Sequence, residues 1–395
     1  MKKRYIYINI SRIGWIKYLI KNIFLSERMF KKYFLSFFPF LWNSFPIIID
    51  GWSVKQGQIY DSNHQLFNLS GCSWFGFETQ DFVINGLWSH SMEFYLDRLQ
   101  EVGINAIRIP ISSEWIFYNF ELYPDRGFVS ADLSLQNLKS IEILDILFEL
   151  TEKRKILIML DLHRLHKEYI SELWYSPTDQ LFTPNTFFTT WYKLLDRYQH
   201  YSNLFAIDLL NEPHGIATWG ISSPTTDWNL FAQYAVQKLS ERYLNQDWLF
   251  FVEGIGWGKD LSKVKDYPLQ LKNATLMDRI VYSPHTYGKS VVNSIDPYNK
   301  AQLYNDWNAS FGYLSNYDYT YIIGEYGGRT DIDSQWMNYL VDYLIEQNQR
   351  NAFFWSLGPN SGDVQGLLLD DWTTLDSFKT QLIQRLQPYP TQSFP

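Results

Sequence analysis

A chain of 395 residues with 46% apolar content is long enough for one large core, and an α/β barrel of about 250 residues or more is a natural occupant, so several domains are not required. Its formal charge of −8 is uneven: residues 1–32 carry nine Lys/Arg against one acid, so the body beyond them holds −16, which argues against nucleic acid as a partner. A single cysteine, Cys72, excludes an intrachain disulfide, a Cys-rich zinc site and a redox pair, while 16 Trp, most of them expected in the core, leave some to stack on sugar faces.

Within the basic segment, Ile13, Ile16, Ile20 and Ile23 recur at helical spacing with Lys17 and Lys21 between them, a pattern compatible with an amphipathic helix on an anionic membrane. No uninterrupted apolar run there reaches the roughly 20 residues needed to span a bilayer. A second reading begins at Met29, where MFKK followed by YFLSFFPFLW resembles a secretory signal. Residues 1–45 are therefore read as a targeting extension with export expected, and 46–395 as the folded domain.

VKQGQIYDSNHQLFNLSG, residues 54–71, reads as a hairpin around Asp61, Ser62 and Asn63 that closes the bottom of a barrel and feeds its first strand. Apolar strands are predicted near 66–73, 105–111, 156–162, 204–210, 248–253, 279–284, 319–324 and 351–356. Helical patterns lie between several of them: HSMEFYLDRLQEVG, LKSIEILDILFELTEK, TFFTTWYKLLDRYQ, LFAQYAVQKLSERYL, QWMNYLVDYLIEQNQ and the final LDSFKTQLIQRL. That alternation predicts an α/β fold, a (β/α)8 TIM barrel. A doubly wound sheet would use the same elements, but the glycine-rich phosphate loop expected after its first strand is missing.

In such a barrel the C-terminal strand ends supply the active site. Strand 1 runs into SWFGFET, placing Trp74 and Phe75 either at the mouth or in a packed rim. Strand 2 carries Arg108 inside an apolar alternation, so it must be paired, either near catalytic carboxylates or in a structural ion pair. Strand 3 ends in LDLHRLH, with His163 beside Asp161. Strand 4, LFAIDLLNEP, ends in Asn211 and Glu212, where the glutamate either does chemistry or caps the following helix. Strand 6 ends in YSPHTYG, with His285 and Tyr287 two apart and on one face. Strand 7, YTYIIGEYGG, again ends in a glutamate, Glu325. Two carboxyl groups about 5 to 5.5 Å apart are what hydrolysis of a glycosidic bond with retained configuration needs.

The motifs SWFGFET, NAIRIPIS, LDLHR, LLNEPHG, SPHTYG, IIGEYGG and FFWSLGPNSGD, in this order over roughly 66–386, resemble glycoside hydrolase family 5, the cellulase family of the large (β/α)8 hydrolase clan. The resemblance implies that Glu212 is the acid/base and Glu325 the nucleophile. It matches Arg108, His163, Asn211, His285, Tyr287 and Trp355 to the family's other active-site positions. Chemistry gives each a reason: Asn211 can hold a sugar 2-hydroxyl, Arg108 and Tyr287 can donate to Glu325, and the charge of Glu325 can raise the proton affinity of Glu212. Trp355 would floor the −1 subsite. His163 and His285 would orient hydroxyls and the acid, and no further ligand in reach is expected to turn them into a metal site.

Against the cellulase-like pattern an Asn is expected where Ser73 stands, and Trp-Asn where Leu357 and Gly358 follow Ser356, which alters the glycone-side contacts. Trp174, Trp219 and Trp257, on loops after strands 3, 4 and 5, are either further subsites or simple packing. The expected activity is that of a retaining endo-β-1,4-glucanase, monomeric and without cofactor or metal, acting on a neutral β-linked polysaccharide. The alternatives are a related enzyme on mannan, xyloglucan or a glycolipid glycan, or a silent glycan-binding barrel. The intact pair of glutamates speaks against the last.

Overall fold

Two bends at the start of the folded chain build the floor of the molecule. The computed structural model describes residues 51–394, so the isoleucine spacing of Ile13 to Ile23 and the signal-like run after Met29 lie outside the described residues. Gln56 and Gly57, with φ of 49° and 78°, make the two-residue left-handed turn that suits strand twist. It joins β1 (Ser53–Lys55) to β2 (Gln58–Tyr60). Asp61 then turns the chain a second time, its carboxylate accepting from the N–H groups of Asn63 and Gln65, into β3 (Leu66–Phe67). The expected hairpin is thus a three-stranded antiparallel sheet, with the expected turn residues at its second bend. Trp52, Ile59 and Phe67 pack with Met159, Phe205 and Phe353 and close the N-terminal end of the barrel.

The predicted first strand, 66–73, breaks in two. The N–H groups of Asn68 and Leu69 turn to the side chains of Thr391 and Asn351, so the chain leaves β3 and enters the barrel only at β4 (Ser70–Ser73). There follow β5 (Ala106–Ser112), β6 (Leu157–Arg164), β7 (Leu204–Asp208), β8 (Leu249–Glu253), β9 (Ile280–Ser283), β10 (His285–Tyr287), β11 (Ile323–Gly327) and β12 (Ala352–Phe354). Every neighbouring pair from β4 to β9 and from β10 round to β4 is parallel. Pro284, which has no N–H to give, separates β9 from β10 within one barrel strand. Closure comes from Tyr282, whose N–H donates to the Thr320 carbonyl at 2.9 Å and whose carbonyl accepts from Ile322 N–H at 3.0 Å. Eight strand positions therefore form the expected (β/α)8 barrel.

All six predicted helices are present: α1 (Met92–Val102), α2 (Ser140–Lys153), α3 (Pro184–Tyr198), α4 (Trp228–Arg242), α6 (Thr330–Glu346) and α7 (Ser377–Leu386). Side-chain caps begin several of them; Ser91, Thr183, Asp227 and Asp376 each accept a main-chain N–H of the first turn. A further helix, α5 (Lys300–Ser310), escaped prediction because it buries only Leu303 and Trp307, too few for an apolar stripe. Outward residues of the strands, such as Ile107, Ile158 and Ile207, share one core with Leu96, Leu147 and Leu194 of the helices. Each such buried aliphatic contributes about 1.5 to 3 kcal/mol.

Candidate active site

Parallel register brings polar side chains from six strand positions to one level of the barrel's C-terminal half. Asp161 lies opposite Asp208, and His285 opposite Glu325. At the centre is Arg108 of β5, 0% exposed. Its Nε donates to Asp208 Oδ2 at 3.0 Å and its Nη2 to Asn211 Oδ1 at 2.9 Å. Nη2 also lies 3.1 Å from Asp161 Oδ2 and 3.3 Å from Glu253 Oε1, and Nη1 donates to Glu325 Oε1. One guanidinium thus meets four carboxylates, so Arg108 pairs both with the candidate Glu325 and with three further acids.

Glu325 lies within β11 rather than beyond its end. Its second oxygen accepts from the Tyr287 hydroxyl, and His285 Nδ1 is 3.5 Å away. Burial alone would raise its pKa, but His285 and Arg108 outweigh that and hold it below the usual carboxylate value. The carboxylate is kept ionised and aimed.

Glu212 sits four residues past β7 with φ of +51°, a left-handed main chain that non-glycine residues seldom adopt. Its N–H donates to Glu253 Oε2 at 2.7 Å, and its Oε1 faces His285 Nδ1 at 3.2 Å. Burial first, and the charge of Glu325 second, raise its pKa against the pull of His285. The charge of Glu325, expected from the sequence to cause this shift, is the smaller cause and desolvation the larger. Oxygens of Glu212 and Glu325 and a ring nitrogen of His285 lie within 4.8 Å of one another.

His285 is clamped on both sides. Its Nε2 makes an ionic contact of 3.1 Å with Glu253 Oε1. Although burial disfavours its charge, Glu253 and Glu325 hold its pKa well above the ordinary imidazole value. Glycine makes room for the ring: a Cβ on Gly324 would fall 2.8 Å from His285 Nε2, and one on Gly258, at φ +73°, would fall 2.7 Å from Glu253 Oε2. His163 differs, since burial pushes it well below the ordinary value. A neutral ring donates from Nδ1 to Asp161 Oδ2 at 2.7 Å, leaving Nε2 as an acceptor 3.5 Å from the Asn211 amide nitrogen.

The tryptophans divide. Trp355 is half-buried, its ring parallel to those of Phe75, with centroids 5.5 Å apart, and His163, 5.2 Å apart. Trp257 is 53% exposed and stacked 3.6 Å from His214. Trp74 and Trp174 contradict the expectation of a cleft role: each is 1% exposed. The Trp74 indole donates to the Asn85 carbonyl, and Trp174 stacks on Phe231 against α4. Trp219 is buried as well. Ser73 and Leu357 are fully buried, and Gly358 is covered by the ring of Trp372, which meets Trp88 edge-on.

Sequence reasoning missed Asp208 and Glu253. Both carry the signal that found Glu325, a carboxylate in or ending an apolar strand, LFAID and LFFVE, but that signal does not say which groups they meet. The expectation that no further metal ligand reaches the histidines also fails, since Asp208, Glu253 and His285 offer atoms within 4.8 Å of one another. Arg108 touches both of those carboxylates and already supplies a cation to them.

Comparison with known proteins agrees with the barrel fold. Residues 60–361 match the family model for cellulase, glycosyl hydrolase family 5. An endoglucanase of Paenibacillus polymyxa is 37% identical over 366 residues, covering 86% of this chain and 89% of that protein. The major extracellular endoglucanase of Xanthomonas campestris pv. campestris is 31% identical over 83% of this chain and 69% of its own. Among solved structures, an endocellulase variant from Pyrococcus horikoshii in complex with cellotetraose superposes with a TM-score of 0.78 at 32% identity, covering 85% of this chain and 98% of that one.

Proposed function

The chain belongs to glycosyl hydrolase family 5, the cellulase family, and is an endo-β-1,4-glucanase working with retention; from that premise we propose that Glu325 is its nucleophile and Glu212 its acid/base. The observation that carries the assignment is that the two carboxyl groups each present an oxygen within 4.8 Å of the other's, one group biased toward ionisation and the other toward protonation. Retaining pairs stand about 5 to 5.5 Å apart, whereas inverting ones leave about 6.5 to 9.5 Å for a water.

Glu325 attacks the anomeric carbon, and Glu212 gives its proton to the leaving oxygen. Esterification removes the charge of Glu325 and with it part of what kept Glu212 protonated. Glu212 then takes a proton from the incoming water, whose oxygen displaces Glu325. Arg108 and Tyr287 hold the nucleophile. Arg108 engages the Asn211 carbonyl oxygen, so the amide nitrogen, 3.5 Å from His163 Nε2, is the end of the side chain that can donate to a sugar 2-hydroxyl. Trp355 offers the −1 floor and Trp257 an outer platform. His163 is suited to accept from a hydroxyl.

The substrate proposed is an internal β-1,4-glucosidic bond of a cellulose-like polymer, by likeness to the named endoglucanases. Export is proposed on the same ground, one relative being extracellular. No helix among the described residues is long and apolar enough to cross a membrane. The test of the roles uses azide. Glu325→Gly with an activated β-cellobioside and azide yields the inverted α-glycosyl azide. Glu212→Ala still forms the intermediate from a good leaving group, and azide then gives the retained β-azide. The same anomer from both variants, or near wild-type rates on polymer, refutes the assignment.

A further inference from the structure

Glu253 is 0% exposed at the end of β8 and is not one of the residues assigned to the chemistry above. Its main chain is fixed from behind, where its carbonyl accepts from the Trp228 indole N–H at 2.9 Å. The side chain then reaches three groups of the site. Oε2 accepts from the Glu212 main-chain N–H at 2.7 Å, while Oε1 lies 3.1 Å from His285 Nε2 and 3.3 Å from Arg108 Nη2. Gly258 leaves the space that Oε2 occupies, since a Cβ there would stand 2.7 Å from it.

These contacts converge on one residue. Glu212 holds a left-handed main chain, φ +51°, a strained conformation that persists only where surrounding structure over-determines it. Glu212's own main-chain N–H is bonded to Glu253, while that of the preceding Asn211 donates to the Leu162 carbonyl. His285, whose Nε2 Glu253 contacts, presents its other nitrogen to the Glu212 carboxyl at 3.2 Å. Simple neutralisation of Arg108 does not require this arrangement, because Asp161, Asp208 and Glu325 already surround the guanidinium.

We propose that Glu253 is a positioning residue for the acid/base: its carboxyl group fixes the main chain of Glu212 in the left-handed turn and seats His285 against the Glu212 carboxyl. The inference rests on reading Glu212 as the acid/base. It predicts a defect confined to proton donation, which a residue that merely supports the fold would not produce. A good leaving group needs little protonation; a poor one needs a well-aimed acid.

The experiment compares kcat/KM for a poor-leaving-group aryl β-cellobioside and for 2,4-dinitrophenyl β-cellobioside, in the full chain, with Glu253→Ala, Glu253→Gln and Glu212→Ala in parallel. For Glu253→Ala the expected loss is on the order of 100-fold on the poor leaving group and under about 5-fold on dinitrophenyl. Glu253→Gln keeps an oxygen for the Glu212 N–H but turns a donor toward Arg108. It should regain part of the activity, leaving a loss of about 10-fold on the poor leaving group and under about 2-fold on the good one. Equal losses on both substrates, or wild-type selectivity in the isosteric Gln variant, overturn the proposal. If Glu212→Ala splits the two substrates and neither Glu253 variant does, this inference fails alone. If Glu212→Ala shows no split, the acid/base assignment falls and this inference with it.

Discussion

Tyr287 and Arg108 divide the two oxygens of Glu325 between them, and each donor favours the ionised form. Removing one donor therefore has a signed consequence. In Tyr287→Phe the Glu325 carboxylate loses a hydrogen bond, its pKa rises, and the acidic limb of the kcat/KM profile moves to higher pH. At the wild-type optimum the rate falls about 10-fold to 100-fold, the worth of a hydrogen bond to a charged group. With Glu212 in the proposed acid role the basic limb follows its proton, which is retained mainly through burial, and should move little. A pH–rate profile of the two proteins checks both statements; an unmoved acidic limb would mean that Tyr287 does not hold Glu325 in solution.

At the scale of elements, the loops after the strands separate packing from recognition. Trp174, after β6, is buried against Phe231 and Trp228, so Trp174→Ala should destabilise by about 3 to 5 kcal/mol through loss of a large core side chain. KM of the protein that remains folded should be unchanged. Trp257, after β8, is half-exposed on His214. Trp257→Ala should leave the melting temperature unchanged and raise KM roughly 5-fold, the scale of one aromatic stack. Denaturation and steady-state kinetics on both variants decide it, and exchanged phenotypes would reverse the two roles.

Glu78, in the loop after β4, gives a pH-dependent counterpart. It is buried and accepts the Gly76 N–H at 2.7 Å, and burial pushes its pKa up to about 7. A carboxyl whose folded pKa exceeds its unfolded value stabilises by keeping a proton. That contribution is complete below the unfolded pKa, near 4.5, and is lost as pH rises through about 7. The loss is on the order of 3 kcal/mol by pH 8. Glu78→Gln should remove it and flatten the fall in stability between pH 5 and pH 8, as urea melts at the two pH values would measure. Equal slopes in both proteins would place the titration elsewhere.

For the whole molecule, residues 49–395 form one compact unit by their internal contacts. A chain begun at Ile49 should fold, hydrolyse the same polymer and keep its melting temperature if residues 1–45 are targeting sequence. A large drop would mean that the aromatic run from Tyr33 to Trp42 contributes to the barrel.

Strand and helix order, the two catalytic candidates and their neighbours were legible from the sequence because each is encoded locally. Apolar runs of strand length alternate with 3.6-residue periodicity, and the chemistry sits at strand ends, as in LLNEP and IIGEYGG. Local encoding also explains the misses. The split of the first strand depends on Asn351 and Thr391, nearly 300 residues or more away. Helix α5 lacks a stripe to announce it. Whether a Trp faces solvent or core is fixed by the helix it meets, so Trp74 and Trp174 could not be told from Trp257 by type or by loop position. The same holds for Glu253 and Asp208, which resemble any strand-end acid until barrel closure brings β5, β7, β8 and β10 together around one guanidinium and one imidazole. The sequence by itself determined which groups could do chemistry. Tertiary structure alone decided which carboxyl keeps its proton, because burial and the nearness of Arg108 and His285 are properties of the closed barrel and of no segment within it.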